Sequence, residues 1–305
     1  MSSNVKQARE MNKSKSLSQA VSENVSAGDT VFVGGFGHCV PFALGHEILR
    51  QRLTDLTICR SGADILFDQL IAGGAVRKII FGYFGNPGIG LSHAFRRAVK
   101  DGTLEYEDWT NFAMMLRLHA AQLGVPFLPS RILQLGDMAG ASIEVETMTC
   151  PYTGDSLACI PALAPDVAIV HAPQADTAGN VQFLGVDGDT VMGALASKRI
   201  VVTVERFVEP NEIARMPERT RLPAHRVNAV ALVPWGAHPS YVDGDYGRDD
   251  EHFRMYDTIS RDTDALSDYL NTWVYDCPDR ESYLECVGKD LLGELKAQAR
   301  ERMGA

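Results

Sequence analysis

The stretch Gly28-Asp-Thr-Val-Phe-Val-Gly-Gly-Phe-Gly-His-Cys-Val-Pro41 decides the fold. Residues Thr30 to Val33 form a short apolar run rich in β-branched side chains, the composition of a strand buried on both faces. Gly34-Gly-Phe-Gly37 breaks the run with a glycine-rich turn, and Pro41 suits the first turn of a helix reaching about Arg52. Upstream, Leu17, Ala20, Val21 and Val25 recur at helical spacing, so a helix precedes the strand and stops at Gly28-Asp29. Downstream the unit repeats. Leu56 to Cys59 reads as a second strand, and Ser61-Gly-Ala-Asp64 caps a helix that ends at Gly73-Gly74. Lys78 to Tyr83 reads as a third strand, closed by the turn Gly85-Asn-Pro-Gly88. Short strands alternating with helices predict βαβ units and an open, mainly parallel α/β sheet with helices on both faces.

The rest of the chain extends this pattern. A helix is expected from about Trp109 to Leu123, and the Gly-, Pro-, Thr- and Ser-rich region 136–165 should form loops and short strands. A second alternating run has strands at Val167 to His171, Ile200 to Glu205 and Val227 to Val233, with a helix near Val191 to Ser197. Leu266, Tyr269, Leu270, Trp273 and Val274 mark another helix face, and the tail from about Arg280 to Arg302 is also helical. Residues 1–16 are polar and are expected to fray. Residues 17–305, including the C-terminal helices, are expected to form one α/β domain.

Composition excludes several functions. The 305 residues carry a net charge of -10, against nucleic-acid binding and against a polybasic membrane anchor. The sequence has no apolar run of transmembrane or signal-peptide length. The 6 cysteines make no C-x-x-C pair, so they read as free thiols of a reduced cytoplasm, with no metal site.

Ligands of open parallel sheets bind at the carboxyl ends of the strands, which directs attention to loops. Gly34, Gly35, Phe36, Gly37 and His38 lie in the first. Glycines there allow close backbone approach, and N–H groups before a helix favour an anion or developing oxyanion. A tight βα turn explains the same residues equally well. G-x-G-x-x-G is absent, and no P-loop lysine follows. Asn86 and Gly88 lie in the second loop, which could present an amide to a carboxylate or could simply be a β-turn. His238 and Ser240 lie in a third loop after a strand, where a structural loop or subunit contact competes with a reaction site. Glu205, at the end of a very apolar strand, is either a functional acid or a structural ion pair. The sequence contains neither H-E-x-x-H nor G-x-S-x-G, against a zinc hydrolase and a serine hydrolase.

The opening stretch, with Gly45-His-Glu-Ile-Leu-Arg50 and Thr54-Asp-Leu-Thr57, resembles the start of a family I CoA-transferase α subunit. The similarity continues through Gly85-Asn-Pro-Gly88, Leu123-Gly-Val-Pro-Phe-Leu-Pro129, Cys150-Pro-Tyr-Thr-Gly154 and Pro165-Asp-Val-Ala-Ile-Val-His-Ala172. Gly179-Asn-Val181, Ile200 to Glu205, Gly236-Ala-His-Pro-Ser-Tyr241 and Tyr246-Gly-Arg-Asp249 extend it over roughly residues 17 to 275. The loop Gly37-His-Cys-Val40 is similar to the 3-oxoadipate branch and one residue shorter than in the glutaconate enzyme. The resemblance implies an α chain that works with a β chain, with coenzyme A as substrate and no permanently bound cofactor. In that family a β-chain glutamate attacks an acyl-CoA thioester, and acyl-glutamyl and glutamyl-CoA intermediates follow. Backbone N–H groups would steady each oxyanion.

The family's Glu-Asn-Gly nucleophile turn is missing here. Ser22-Glu-Asn24 comes nearest, but Val25 replaces the glycine and the triplet sits on the helix before the first strand. The resemblance therefore implies no catalytic residue in this chain. It implies a substrate-binding wall built from Gly34, Gly35, Phe36, Gly37, His38, Asn86 and Gly88, with Glu205, His238 and Ser240 as further site or interface residues. Asparagine or histidine would hold a remote carboxylate, unless the partner supplies a cation. Small dicarboxylates such as 3-oxoadipate or glutaconate are the expected acceptors, with succinyl-CoA as a typical donor. Tyr246-Gly-Arg-Asp249 and Val204-Glu-Arg206 are also similar to a ring-opening hydrolase branch acting on CoA esters in steroid degradation. That branch carries an acid near the position of Asn111 here, with Glu107 and Asp108 close by. A sugar-phosphate sensor on a related sheet lacks any DNA-binding segment in support.

Overall fold

The structure is a computed structural model and describes residues 12–86, 88–135 and 145–304. Its centre is β1 (Thr30–Val33) in a nine-stranded sheet. On one side β1 pairs in parallel with β2 (Leu56–Ala63), which pairs with β3 (Val76–Phe84) and then β4 (Glu105–Asp108). A small sheet made by β5 (Phe127–Ser130), β6 (Thr147–Thr149) and β7 (Ser156–Pro161) is antiparallel, in the order β5-β7-β6. On its other side β1 pairs in parallel with β8 (Val167–Ala175). A short strand β9 (Val181–Gln182) folds back on β8, while β10 (Arg199–Phe207) runs parallel to β8. The strand β11 (Thr220–Leu222) pairs with β9, and β12 (Ala229–Leu232) pairs in parallel with β10. The parallel path is thus β4-β3-β2-β1-β8-β10-β12. The chain winds outward from β1 in both directions, so the crevice of a doubly wound sheet opens at its carboxyl end.

Helices cover both faces, as the alternation of β1 requires. Val31 and Val33 face one core cluster with Phe42, Leu44, Ile48, Phe67 and Tyr256. Phe32 faces the other with Trp109, Met114, Leu118, Val170 and Val202. The helices are α1 (Leu17–Ser22), α2 (Phe42–Arg50), α3 (Ile65–Ala72), α4 (His93–Lys100), α5 (Asn111–Leu123), α6 (Thr190–Ala196) and α7 (Pro210–Arg215). Then come α8 (Asp250–Ile259), α9 (Thr263–Leu270), α10 (Arg280–Val287) and α11 (Lys289–Gly304).

Local chemistry explains where these elements depart from the sequence reading. The first helix stops at Ser22 rather than at Gly28, because the Asn24 side chain donates to the Ala20 carbonyl at 2.9 Å and closes the helix. The helical tail is split at Gly288, whose φ of 88° no helix accommodates. The helix from Leu266 to Val274 changes to a π turn at Asn271–Tyr275. Of the leader drawn over residues 1–16, residues 1–11 lie outside the described residues. Residues 12–16 lie against the sheet: Lys13 N–H donates to Thr177 O at 2.8 Å, Ser14 bridges to Val230, and Ser16 caps α1. Pro87 and part of the 136–165 region, residues 136–144, also lie outside the described residues.

Candidate active site

A cavity of about 380 Å³ opens at the carboxyl ends of β1 to β3. The loop after β1 supplies Phe36 and Gly37; the end of β2 supplies Arg60, Gly62 and Asp64. Tyr83 and Asn86 come from the end of β3, Asn111 from the start of α5, Arg248 from the loop before α8, and Phe253 from the first turn of α8.

The β1 loop is held by its own backbone. Gly34 N–H donates to Ile169 O at 2.9 Å, and Gly35 N–H donates to Thr190 Oγ1 at 2.8 Å. Phe36 N–H donates to His38 O at 3.2 Å. Gly37 N–H has no acceptor among the described residues, which leaves a donor at the cavity wall. Gly35 has φ 92°, and a Cβ there would sit 2.6 Å from the Val40 Cα, so only glycine fits.

The structure divides the residues expected at the site. Phe36, Gly37 and Asn86 line the cavity. The Asn86 backbone is engaged with Gly90 in both directions at 3.0 Å, whereas its side-chain amide has no partner among the described residues. Gly34 and Gly35 brace the loop from behind. Gly88, at φ 76°, serves the turn and does not line the cavity. His38 is buried and faces away from it: its Nδ1–H donates to Val186 O at 3.1 Å, and its Nε2 accepts from Asp243 N–H at 3.0 Å. Burial lowers the His38 pKa and favours this neutral ring.

Glu205, His238 and Ser240 also lie outside the cavity lining. The Glu205 carboxylate accepts from Trp235 N–H at 2.7 Å, from Tyr246 OH at 2.8 Å and from His171 Nε2 at 2.8 Å. Burial alone would raise its pKa, but these donors hold it below the usual carboxylate range. His238 is fully buried between Tyr283 OH at 2.8 Å and Asp249 Oδ2 at 3.1 Å. Ser240 Oγ donates to Gly37 O at 2.8 Å, so this residue supports the loop from its far side.

Two arginines were not singled out by sequence reasoning. Arg60 is wholly buried, pairs with Asp64, and donates from Nη1 to Gly34 O at 2.9 Å. One guanidinium thereby joins the β1 loop to the cap of α3. A charge following the apolar residues Leu56 to Cys59 was the available signal. Arg248 stood in the Tyr246-Gly-Arg-Asp249 stretch with no role assigned. Among the described residues no group of three or more His, Cys, Asp or Glu side chains is placed to hold a metal ion.

The coenzyme A transferase family model matches residues 14–232. The chain belongs to the coenzyme A transferase family. Its relatives place it among the family I α subunits. It is 36% identical over 261 residues to the A subunit of the 3-oxoadipate CoA-transferase of Pseudomonas knackmussii, covering 85% of this chain and 92% of that one. It is 35% identical over 304 residues to the A subunit of the glutaconate CoA-transferase of Acidaminococcus fermentans, covering 94% and 95%. The crystal structure of glutaconate coenzyme A-transferase from that organism superposes with a TM-score of 0.86 over 93% of this chain and 95% of that one. The cholesterol ring-cleaving hydrolase IpdA subunit of Rhodococcus jostii is also similar, at 32% identity over 85% of this chain and 90% of its own length. Among the described residues of this CoA-transferase chain, no helix is long and apolar enough to cross a membrane.

Proposed function

We propose that this CoA-transferase α subunit works with a separate β chain to move CoA from an acyl-CoA, such as succinyl-CoA, to a small dicarboxylate of the 3-oxoadipate or glutaconate type. A β-chain glutamate attacks the thioester carbonyl, the C–S bond breaks, and CoA thiolate leaves an acyl-glutamyl anhydride. The thiolate then attacks the glutamyl carbonyl, giving glutamyl-CoA thioester and the free donor acid. The acceptor carboxylate repeats both steps in reverse, so no net proton or electron is needed. The observation carrying this reading is that Gly37, whose N–H has no acceptor among the described residues, and Asn86 line one cavity whose lining carboxylate, Asp64, is paired with Arg60. Such a wall can bind an acyl group and steady an oxyanion, while the nucleophile comes from elsewhere.

A second reading, ring-opening hydrolysis of a cyclic CoA ester, draws on the IpdA relative. At the place where that branch would carry an acid, Asn111 offers an amide to the cavity. Nearby Glu107 is partly buried, which opposes ionisation, yet Lys78, Trp109 and Arg117 bring its pKa down to about 2. It therefore makes a poor proton donor near neutral pH. The test is product balance on the complex co-expressed with its β chain. Transfer conserves the thioester and needs a second acid, whereas ring opening consumes water and needs none.

A further inference from the structure

We propose that Arg248 is the anchor for the second carboxylate of the acid, and so sets the preference for dicarboxylates over monocarboxylates. This rests on the transferase reading above. The lining of the cavity includes three charged side chains: Arg60, Asp64 and Arg248. Arg60 and Asp64 pair with each other, and Arg60 is further engaged by Gly34 O and Gly62 O. Arg248 differs. Its Nε lies 2.7 Å from Asp250 Oδ1, off the axis of a hydrogen bond, and its two Nη groups have no partner among the described residues. The lining therefore carries one guanidinium whose charge is met at Nε by Asp250, outside the lining, while its two-pronged Nη edge stays free.

The position is fixed from several sides. Gly247 N–H donates to Leu295 O at 2.8 Å, and Asp249 N–H donates to Pro239 O at 3.0 Å. The Asp249 carboxylate holds His252 N–H at 2.9 Å and His238 Nε2 at 3.1 Å. The guanidinium carbon stands 4.5 Å from the Phe253 ring centroid, and this cation–π contact restrains the side chain. A planar fork held in one place, beside apolar Phe36 and Phe253, fits a carboxylate at the end of a short carbon chain. The reacting carboxylate would then lie toward Gly37 and Asn86. The cation looked for on the partner is present in this chain.

The test uses the complex of this chain with its β chain. Glutarate and valerate compete in one reaction with succinyl-CoA as donor, and the ratio of the two new thioesters is measured. That ratio cancels the donor step and the fraction of active protein. The wild-type complex should favour glutarate, and Arg248→Gln should lower the ratio about 30-fold. Arg248→Lys should fall between them, because an ammonium keeps the charge without the fork. An unchanged ratio in Arg248→Gln overturns the proposal. If the wild-type complex transfers CoA to neither acid nor to 3-oxoadipate or glutaconate, the transferase reading fails, and calorimetric binding of glutarate and valerate to the same complex still decides the anchor. A loss of glutarate affinity alone in Arg248→Gln supports it; equal glutarate affinities of the wild type and Arg248→Gln overturn it.

Discussion

Arg60 donates from Nη1 to the carbonyl oxygen of Gly34 at 2.9 Å, so the end of β2 holds the first residue of the loop after β1. The same guanidinium pairs with Asp64, which caps α3 by accepting from Leu66 N–H at 3.0 Å. Replacing Arg60 by Met would leave Asp64 unpaired and Gly34 O without its donor. The expected loss is about 3 kcal/mol or more of unfolding free energy, as for a broken buried pair. Urea denaturation of the isolated chain reads it. Unchanged stability in Arg60→Met would show that this guanidinium joins nothing that matters.

The glycines of the same loop should respond differently. Gly35→Ala drives a Cβ to 2.6 Å from the Val40 Cα at φ 92°, and the clash is with backbone. The backbone must shift, at an expected cost of at least about 2 kcal/mol. Gly37 has φ 71°, but nothing lies within 4 Å of the place its Cβ would take. Gly37→Ala should therefore cost only about 1 kcal/mol, the left-handed penalty alone. Thermal denaturation of the pair checks the order, and a larger drop for Gly37→Ala would contradict the loop geometry.

Much of this loop was legible in the sequence. Val31 and Val33 alternate with Phe32 between the two core clusters, and a buried strand ending in glycines announces both the sheet and its crevice. The cavity's far wall was not legible. Arg248 and Phe253 reach it from a loop and helix distant in the chain, and no local period marks that convergence. The strand β4, Glu105–Asp108, was missed because its charged side chains hide the strand pattern. His38 looked like a ligand-facing residue by position, yet Val186 and Asp243, both remote in sequence, turn its ring inward.

Buried histidines give the chain a sensitivity to mild acid. Burial lowers the pKa of His46 and His238, and burial together with the neighbouring His238 takes His252 to about 3. Such rings take up protons first in the unfolded chain, whose histidines titrate near ~6.5. Their contribution is complete above that pH and declines as pH falls below it, by up to about 1 kcal/mol per ring per pH unit. The urea midpoint should be lower at pH ~5.5 than at pH ~7.5, a window above the usual carboxylate range. His46→Leu should flatten the slope. A midpoint that rises on acidification would contradict this assignment.

Asn86 offers an uncharged amide to the cavity. Asn86→Asp keeps the shape and adds a negative charge where an acid should bind. In the complex with the β chain, kcat/KM for a carboxylate acceptor should fall at least about tenfold, chiefly through KM. Asn86→Ser should fall less. Equal rates for Asn86→Asp and the wild type would remove this amide from the acid's path.

On the proposed function, this chain builds the binding wall while the partner supplies the nucleophile. Intact-protein mass spectrometry after mixing the two-chain complex with an acyl-CoA, without acceptor, tests it directly. The expected result is a CoA-sized adduct on a glutamate of the β chain, with none on this chain and none when this chain is incubated alone. An adduct on a glutamate of this chain, or full transfer activity from this chain alone, would overturn this division of roles.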